Sequence, residues 1–143
     1  MERMAAIKGT GSVSQFTAMA VHRFAQTGLD THIQRVRGLL RAKRDAILTA
    51  LETNLGGRAH WAIPAGGLFV FVQMLDGSDV VDASEHGSSN GVLFAPGPIT
   101  AADGVSGRDR IRLCFGWNQP SDMDAGIAVL AKLLKPMAEA GLG

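Results

Sequence analysis

Cysteine, lysine and net charge are the scarce quantities in this 143-residue chain. The single cysteine, Cys114, cannot close an intrachain disulfide, which suits a reducing, cytoplasmic setting. It lies inside an apolar strand pattern, so a small core residue is the expected role. Lys and Arg number 14 against 13 Asp and Glu, a formal net charge of +1, and no overall field recruits nucleic acid or a membrane. No apolar run approaches the ~18 residues that a spanning helix needs. The start, Met1-Glu2-Arg3-Met4, lacks the apolar stretch of a signal peptide. Four histidines, His22, His32, His60 and His86, fall in separate segments without metal-ligand spacing, so a metal centre is not expected. Gly9-x-Gly11 has no third glycine and no preceding strand, and reads as a helix-entry turn instead of a phosphate loop.

What remains is an ordinary soluble composition, 46% hydrophobic and 19% charged, long enough for one domain with a real core. Ser12 with Gln15 makes a capping box, and Val13, Phe16, Ala20 and Phe24 follow at helical spacing. Gly28 is expected to end that helix, and Asp30 or Thr31 to cap a second one. The second helix carries an apolar stripe of Ile33, Val36, Leu40, Ile47, Leu51 and Leu55. Its basic run, Arg35, Arg37, Arg41, Lys43 and Arg44, fills the polar side and reads as a solvated face. Short strands are expected at His60–Ile63, Leu68–Met74, Val92–Ala95 and Arg110–Phe115, with a turn at Pro64-Ala65-Gly66-Gly67. Residues 79–85 read as a brief helix. A closing helix opens at Ser121, boxed by Asp124, and buries Met123, Ile127, Leu130 and Leu134 until Pro136 stops it. The fold class is therefore α+β: a small, mainly antiparallel sheet with helices on one face, preceded by a further helix.

The segment Arg110-Ile111-Arg112-Leu113-Cys114-Phe115 carries the chemistry. Alternation places Ile111, Leu113 and Phe115 on one face and Arg110, Arg112 and Cys114 on the other. A guanidinium at a strand's centre is costly unless its five donors are satisfied. Its planar fork suits a small carboxylate, which makes Arg112 a candidate anchor for an acidic or amino-acid ligand. The blander readings are a solvated face or an internal pair with Asp or Glu.

Taken in order, the basic helix His32–Asp45, the hairpin Pro64-Ala65-Gly66-Gly67-Leu68-Phe69-Val70, the loop Gly91–Gly97 and Ile111–Phe115 resemble the C-terminal part of fold-type-I pyridoxal-phosphate aminotransferases. The likeness is to the class I/II branch with aminoadipate, kynurenine and aromatic enzymes, and it runs from about Met4 to about Leu134. It implies a bridging helix segment over 1–28 and the aminotransferase small domain over 29–143. It also implies that Arg112 binds the substrate's α-carboxylate, and that the complete enzyme is a homodimer using pyridoxal 5'-phosphate on amino acids and 2-oxo acids. That family's cofactor lysine sits in a Ser-x-x-Lys-like stretch of a large domain. Lys8, Lys43, Lys132 and Lys135 have no such context, so covalent cofactor attachment and turnover are not expected of this chain alone. The competing expectation is a non-enzymatic binding module, or an inactive folded relic, with the basic helix 32–44 as its contact surface.

Overall fold

A computed structural model describes residues 14–135. The capping box at Ser12, the Gly9-x-Gly11 turn and the stop at Pro136 lie outside the described residues. Helix α1 spans Gln15–Leu55, followed by β1 (Ala59–Trp61), β2 (Phe69–Met74), α2 (Val80–Gly87), a 3-10 turn (Ser88–Asn90), β3 (Ala95–Pro96), α3 (Gly97–Thr100), β4 (Arg110–Cys114) and α4 (Pro120–Leu133). The chain divides into two units, Met1–Gly38 and Leu39–Gly143.

The expected break at Gly28 does not occur, and α1 is one helix of 41 residues, Gln15–Leu55. A mid-helix glycine costs about 1 kcal/mol, which is too little to stop a helix already propagating through good formers on both sides. The Phe24 ring lies over Gly28, where an added Cβ would meet Phe24 Cε2 at 2.8 Å. The glycine thus makes room for a ring and does not form a cap. Phe24 also meets His32 edge-on, ring centroids 5.6 Å apart. Phe16, Met19 and Val21 are exposed.

In the second unit the four strands form an antiparallel sheet in the order β1-β2-β4-β3. Alternation sends Val70, Val72 and Met74 of β2, with Ile111 and Leu113 of β4, to one face. There they join Ile47, Leu51 and Leu55 of α1, Val80 and Ala83 of α2, and Met123, Ile127 and Leu130 of α4 in a single core. The α+β class and the one-sided helix packing are as the pattern of the sequence dictates. The strand expected at 92–95 shrinks to Ala95–Pro96, because Phe94 packs against the core while Leu93 stays 83% exposed. Helix α4 begins one residue earlier than its expected box. Gln119 is the N-cap without a side-chain bond, and Pro120 opens the first turn, a position where proline loses no helix hydrogen bond. Ser121 Oγ donates to Asp122 Oδ1 instead.

Two cationic struts fix the ends of these elements. Arg58 donates from Nε to Asp76 Oδ2 at 2.8 Å, and its other nitrogens donate to the carbonyls of Ala131 and Leu134, which ties the end of α4 to the sheet. Arg108 pairs with Asp79, the N-cap of α2, and the Arg108 carbonyl accepts from the Val80 amide. Burial pushes the Asp76 carboxyl up, but hydrogen bonds from Ser78 and Arg58 outweigh it and hold the group below its ordinary value. A carboxyl whose pKa is lower folded than unfolded stabilises the fold above its unfolded value and loses that contribution as pH falls through the folded one. Acid titration of urea-unfolding midpoints should therefore show wild type losing stability below the ordinary carboxylate range faster than Asp76→Asn. Parallel pH curves for the two would contradict this account.

Gly97 and Gly107 bring the two ends of the loop before β4 into backbone contact. A Cβ on Gly97 would sit 2.0 Å from the Gly107 carbonyl oxygen, and Gly107 itself has φ +83°, a conformation that glycine adopts without strain. The same Gly107 carbonyl accepts from the Arg110 amide at 2.9 Å, so this contact sets where β4 starts. Because backbone must move to admit the methyl, Gly97→Ala should destabilise the fold at the upper end of roughly 1–3 kcal/mol. Urea denaturation checks it, and a midpoint equal to wild type would refute the close approach.

Candidate functional site

The helices cover one face of the sheet, and the site lies on the other. In register, Phe69 stands opposite Cys114, Phe71 opposite Arg112 and Gln73 opposite Arg110, while Ala95 flanks Arg112 from β3. Alternation dictates this set, since the partners of buried Val70 and Val72 are Leu113 and Ile111. Phe71 is 58% exposed and Phe69 40%, a large apolar area for a sheet face open to solvent.

Arg112 is half-buried at the centre of this face. Its guanidinium carbon lies 4.6 Å from the centroid of the Phe69 ring. Among the described residues no carboxylate pairs with it. The internal ion pair weighed from sequence is thus absent among those residues. A guanidinium lying on an aromatic ring is held by the ring's π-face while its N–H groups, in the guanidinium plane, stay free at the edge. That arrangement presents a fork to a planar oxyanion. Phe69 is the residue that sequence reasoning missed. β2 and β4 are neighbours in the sheet but separated in sequence by α2, the 3-10 turn, β3 and α3, and no local spacing announces the pairing.

Cys114 is exposed, which corrects the expectation of a core thiol. It shares parity with Arg112, on the face opposite the core. Beyond β4 it borders an apolar cavity of about 490 Å³ lined by Leu93, Leu113, Trp117, Met123 and Ile127 among others. A second cavity, about 260 Å³, opens beside the start of β4, with Phe71, Thr100, Ser106 and Arg110 in its wall. The loop forming it is stiffened by Asp103, whose carboxylate accepts from the Ser106 hydroxyl and from the amides of Ser106 and Val105. These bonds hold the carboxyl down at about 2.

The basic run on α1 is only partly a solvated face. Lys43 Nζ donates to the carbonyls of Gly116 and Trp117 at 3.1 Å each, which fixes the chain leaving β4. Arg44 bonds Asp45 and the Pro64 carbonyl. Arg35, Arg37 and Arg41 are exposed. Among the described residues no three His, Cys, Asp or Glu side chains gather as a metal would require, and no helix is long and apolar enough to cross a membrane.

A carbonyl-bearing cofactor needs a lysine amine that can shed its proton in a dry pocket. Lys43 is committed to two carbonyls, and Lys132 and Lys135 are exposed at the end of α4. Among the described residues no lysine fits that role, so the residues present suit a carboxylate and do not suit covalent attachment of pyridoxal phosphate.

Comparison with known proteins agrees with the fold. The family profile described as aspartate amino-transferase matches residues 4–139. An uncharacterized aminotransferase of Saccharolobus solfataricus is 31% identical over 126 residues, which cover 88% of this chain and 31% of that protein. An uncharacterized HTH-type transcriptional regulator of Bacillus subtilis is 32% identical over 143 residues, covering 96% of this chain and 29% of the regulator. Among solved structures, the α-aminoadipate aminotransferase of Thermus thermophilus, complexed with N-(5'-phosphopyridoxyl)-L-leucine, superposes with a TM-score of 0.73 at 27% identity, over 81% of this chain and 30% of that one. The chain thus spans about a third of the length of the relatives it matches.

The lysine geometry yields an expected outcome. Mixed with pyridoxal phosphate, reduced with borohydride and mapped by peptide, the chain should show scattered partial labelling of surface lysines. Stoichiometric labelling of one lysine would overturn the reading.

Proposed function

The chain belongs to the aspartate amino-transferase family, and from that premise we propose that it serves as the small domain of a pyridoxal-phosphate-dependent aminotransferase, with Arg112 as the anchor for the α-carboxylate of amino-acid and 2-oxo-acid substrates. The observation that carries the reading is Arg112, without a carboxylate partner among the described residues, its guanidinium over the Phe69 ring at the centre of the sheet's open face. On this reading residues 29–143 form the small domain and residues 1–28 a bridging helix segment. The cofactor, held by a large domain that lies outside this chain, supplies the electron sink in the complete enzyme. This chain's share is binding and orientation. The guanidinium fixes the carboxylate by two parallel hydrogen bonds, the Phe69 ring keeps the fork from swinging, and the apolar face around it excludes water when a second surface covers it. The exposed helix residues Phe16, Met19 and Val21 suit a homodimeric assembly that covers them.

A contact module built on helix residues 32–44 is less well supported, because Lys43 and Arg44 are engaged with the fold's own carbonyls and carboxylate. The three exposed arginines that remain make a thin patch for a polyanion, which needs several converging cations.

Substitution at Arg112 in the complete enzyme tests the reading. Arg112→Lys keeps charge and loses the fork. Removing one partner of a desolvated charge pair costs on the order of 2–5 kcal/mol, with lysine expected at the lower end and alanine at the upper. Part of the loss should appear in KM, since the carboxylate is held in ground and transition states alike. Misplacement over the cofactor should lower kcat as well. Two mild variants with amino-acid substrates would reduce Arg112 to a surface arginine.

A further inference from the structure

The cavity of about 490 Å³ lies between α4, the end of β4 and the Gly91–Leu93 loop, and all of its wall falls within the Leu39–Gly143 unit. Arg112 is not among the wall residues. The depth of the cavity is apolar: Ile47 of α1, Leu113 of β4, and Met123, Ile127 and Leu130 of α4 line it, all five being core residues. Leu93 and Trp117 stand at its mouth, 83% and 87% exposed. Two large apolar side chains left in water at one opening form a surface that gains by being covered. The volume falls within the roughly 300–1,000 Å³ of small-molecule sites, which combine an apolar wall with a few polar groups.

Gly126 of α4 belongs to the same wall. A glycine inside a helix weakens it relative to alanine, and here no neighbour requires one. A Cβ added at Gly126 meets no atom within 4 Å, in contrast to Gly97. The side chain missing at 126 is thus one that would occupy the cavity. The charge of the wall is one-sided. No Lys, Arg or His lines it, and Asp122 is its single charged residue. Asp122 Oδ1 accepts from the Ser121 hydroxyl at 3.1 Å, and among the described residues no cation pairs with the carboxylate. Lys43, on the adjoining helix, gives its ammonium to the carbonyls of Gly116 and Trp117. Asp122 stands in the first turn of α4, where the helix end carries about half a positive charge, less than the full charge of the carboxylate.

We infer that this cavity is a binding site for a small amine with an aromatic or branched aliphatic body and no carboxylate. The ammonium group meets Asp122, and the body lies against Leu113, Ile127 and Leu130 in the space that Gly126 leaves open. An ammonium donates to the carboxylate by a charge-assisted bond, stronger than the bond a neutral hydroxyl makes there. The indole of Trp117, the one aromatic side chain of the wall, adds attraction for a cation through its π-face. An anion of the same shape brings a second negative charge to Asp122 and is repelled. Body shape sets affinity through the apolar wall, and the sign of the head group sets selectivity.

The test uses the full chain, labelled with nitrogen-15, and three probes with one body: 3-phenylpropylamine, 3-phenylpropan-1-ol and 3-phenylpropanoate. The amides of Leu93 and Gly126 and the indole N–H of Trp117 report the cavity. The amine should bind about tenfold more tightly than the alcohol, the scale of a charged over a neutral hydrogen bond, and the propanoate should leave these three signals unmoved. Asp122→Asn should bring the amine to the level of the alcohol and leave the alcohol unchanged. Gly126→Leu should abolish binding of both while far-ultraviolet dichroism and the urea midpoint stay at or above wild type, since a better helix former replaces glycine. Should Gly126→Leu lose its helical signal, Asp122→Asn decides alone, because Asp122 is exposed and asparagine keeps an oxygen for Ser121. No saturable shift with the amine, equal affinities of amine and alcohol in wild type, a propanoate that binds as tightly as the amine, a preference that survives Asp122→Asn, or binding that survives a folded Gly126→Leu overturns the site.

Discussion

Burial of one face of β4, with the other left open, is the constraint on which the remaining structure depends. Ile111 and Leu113 sit under the helices with Phe115 just beyond the strand, all nearly fully buried, and a strand's two-residue period then forces Arg110, Arg112 and Cys114 outward together. A slip of one residue would drive two guanidiniums into an apolar core at prohibitive cost. The charge pattern thus pins the register of β4, and the register in turn sets which β2 side chains face it. Phe71 stands directly opposite Arg112, and the Phe69 ring lies under the Arg112 guanidinium, because Val70 and Val72 are taken by the core.

The cations of this unit divide into two kinds of work. Arg58, Arg108, Lys43 and Arg44 hold carbonyls or carboxylates of the fold itself. Their partners lie at element ends: the end of α4, the N-cap of α2, the exit from β4 and the turn at Pro64. Such charge-assisted bonds to backbone are stronger than exposed ion pairs, and they rigidify the surroundings of β4 without touching its open face. Arg110 and Arg112 are left without such partners among the described residues. Of the two, Arg112 alone has its guanidinium over an aromatic ring, that of Phe69.

Strand alternation and helical periodicity made much of this legible. The inward set of β4, the core residues Ile47, Leu51 and Leu55, and the buried stripe of α4 follow from periodicity alone. The segments that misled were those decided by tertiary contact. Gly28 looks like a terminator until the Phe24 ring is placed over it. Val92–Phe94 has the composition of a strand, yet Phe94 is drawn to the core and only Ala95 and Pro96 pair. Cys114 follows the parity of its own strand and not the usual burial of its residue type. The candidate site was half legible. Arg112 announces itself by its position, but its stacking on Phe69 depends on a pairing between strands far apart in sequence, which local pattern does not encode.

The open face also bears on what this chain needs in order to act. Phe69 and Phe71 keep a large part of their surface in water, at roughly 25 cal/mol for each Å² of apolar area left uncovered. Covering that face would stabilise the assembly and, in the same step, lower the local dielectric around both guanidiniums. An oxyanion meeting Arg112 would then be held far more strongly than one meeting the same arginine on an open sheet. Cover and ligand are for that reason coupled: a carboxylate neutralises the charge that a covering surface would otherwise have to desolvate, and the covering surface strengthens the grip on the carboxylate. Covering the face and binding an anion there would reinforce each other reciprocally, as linkage requires.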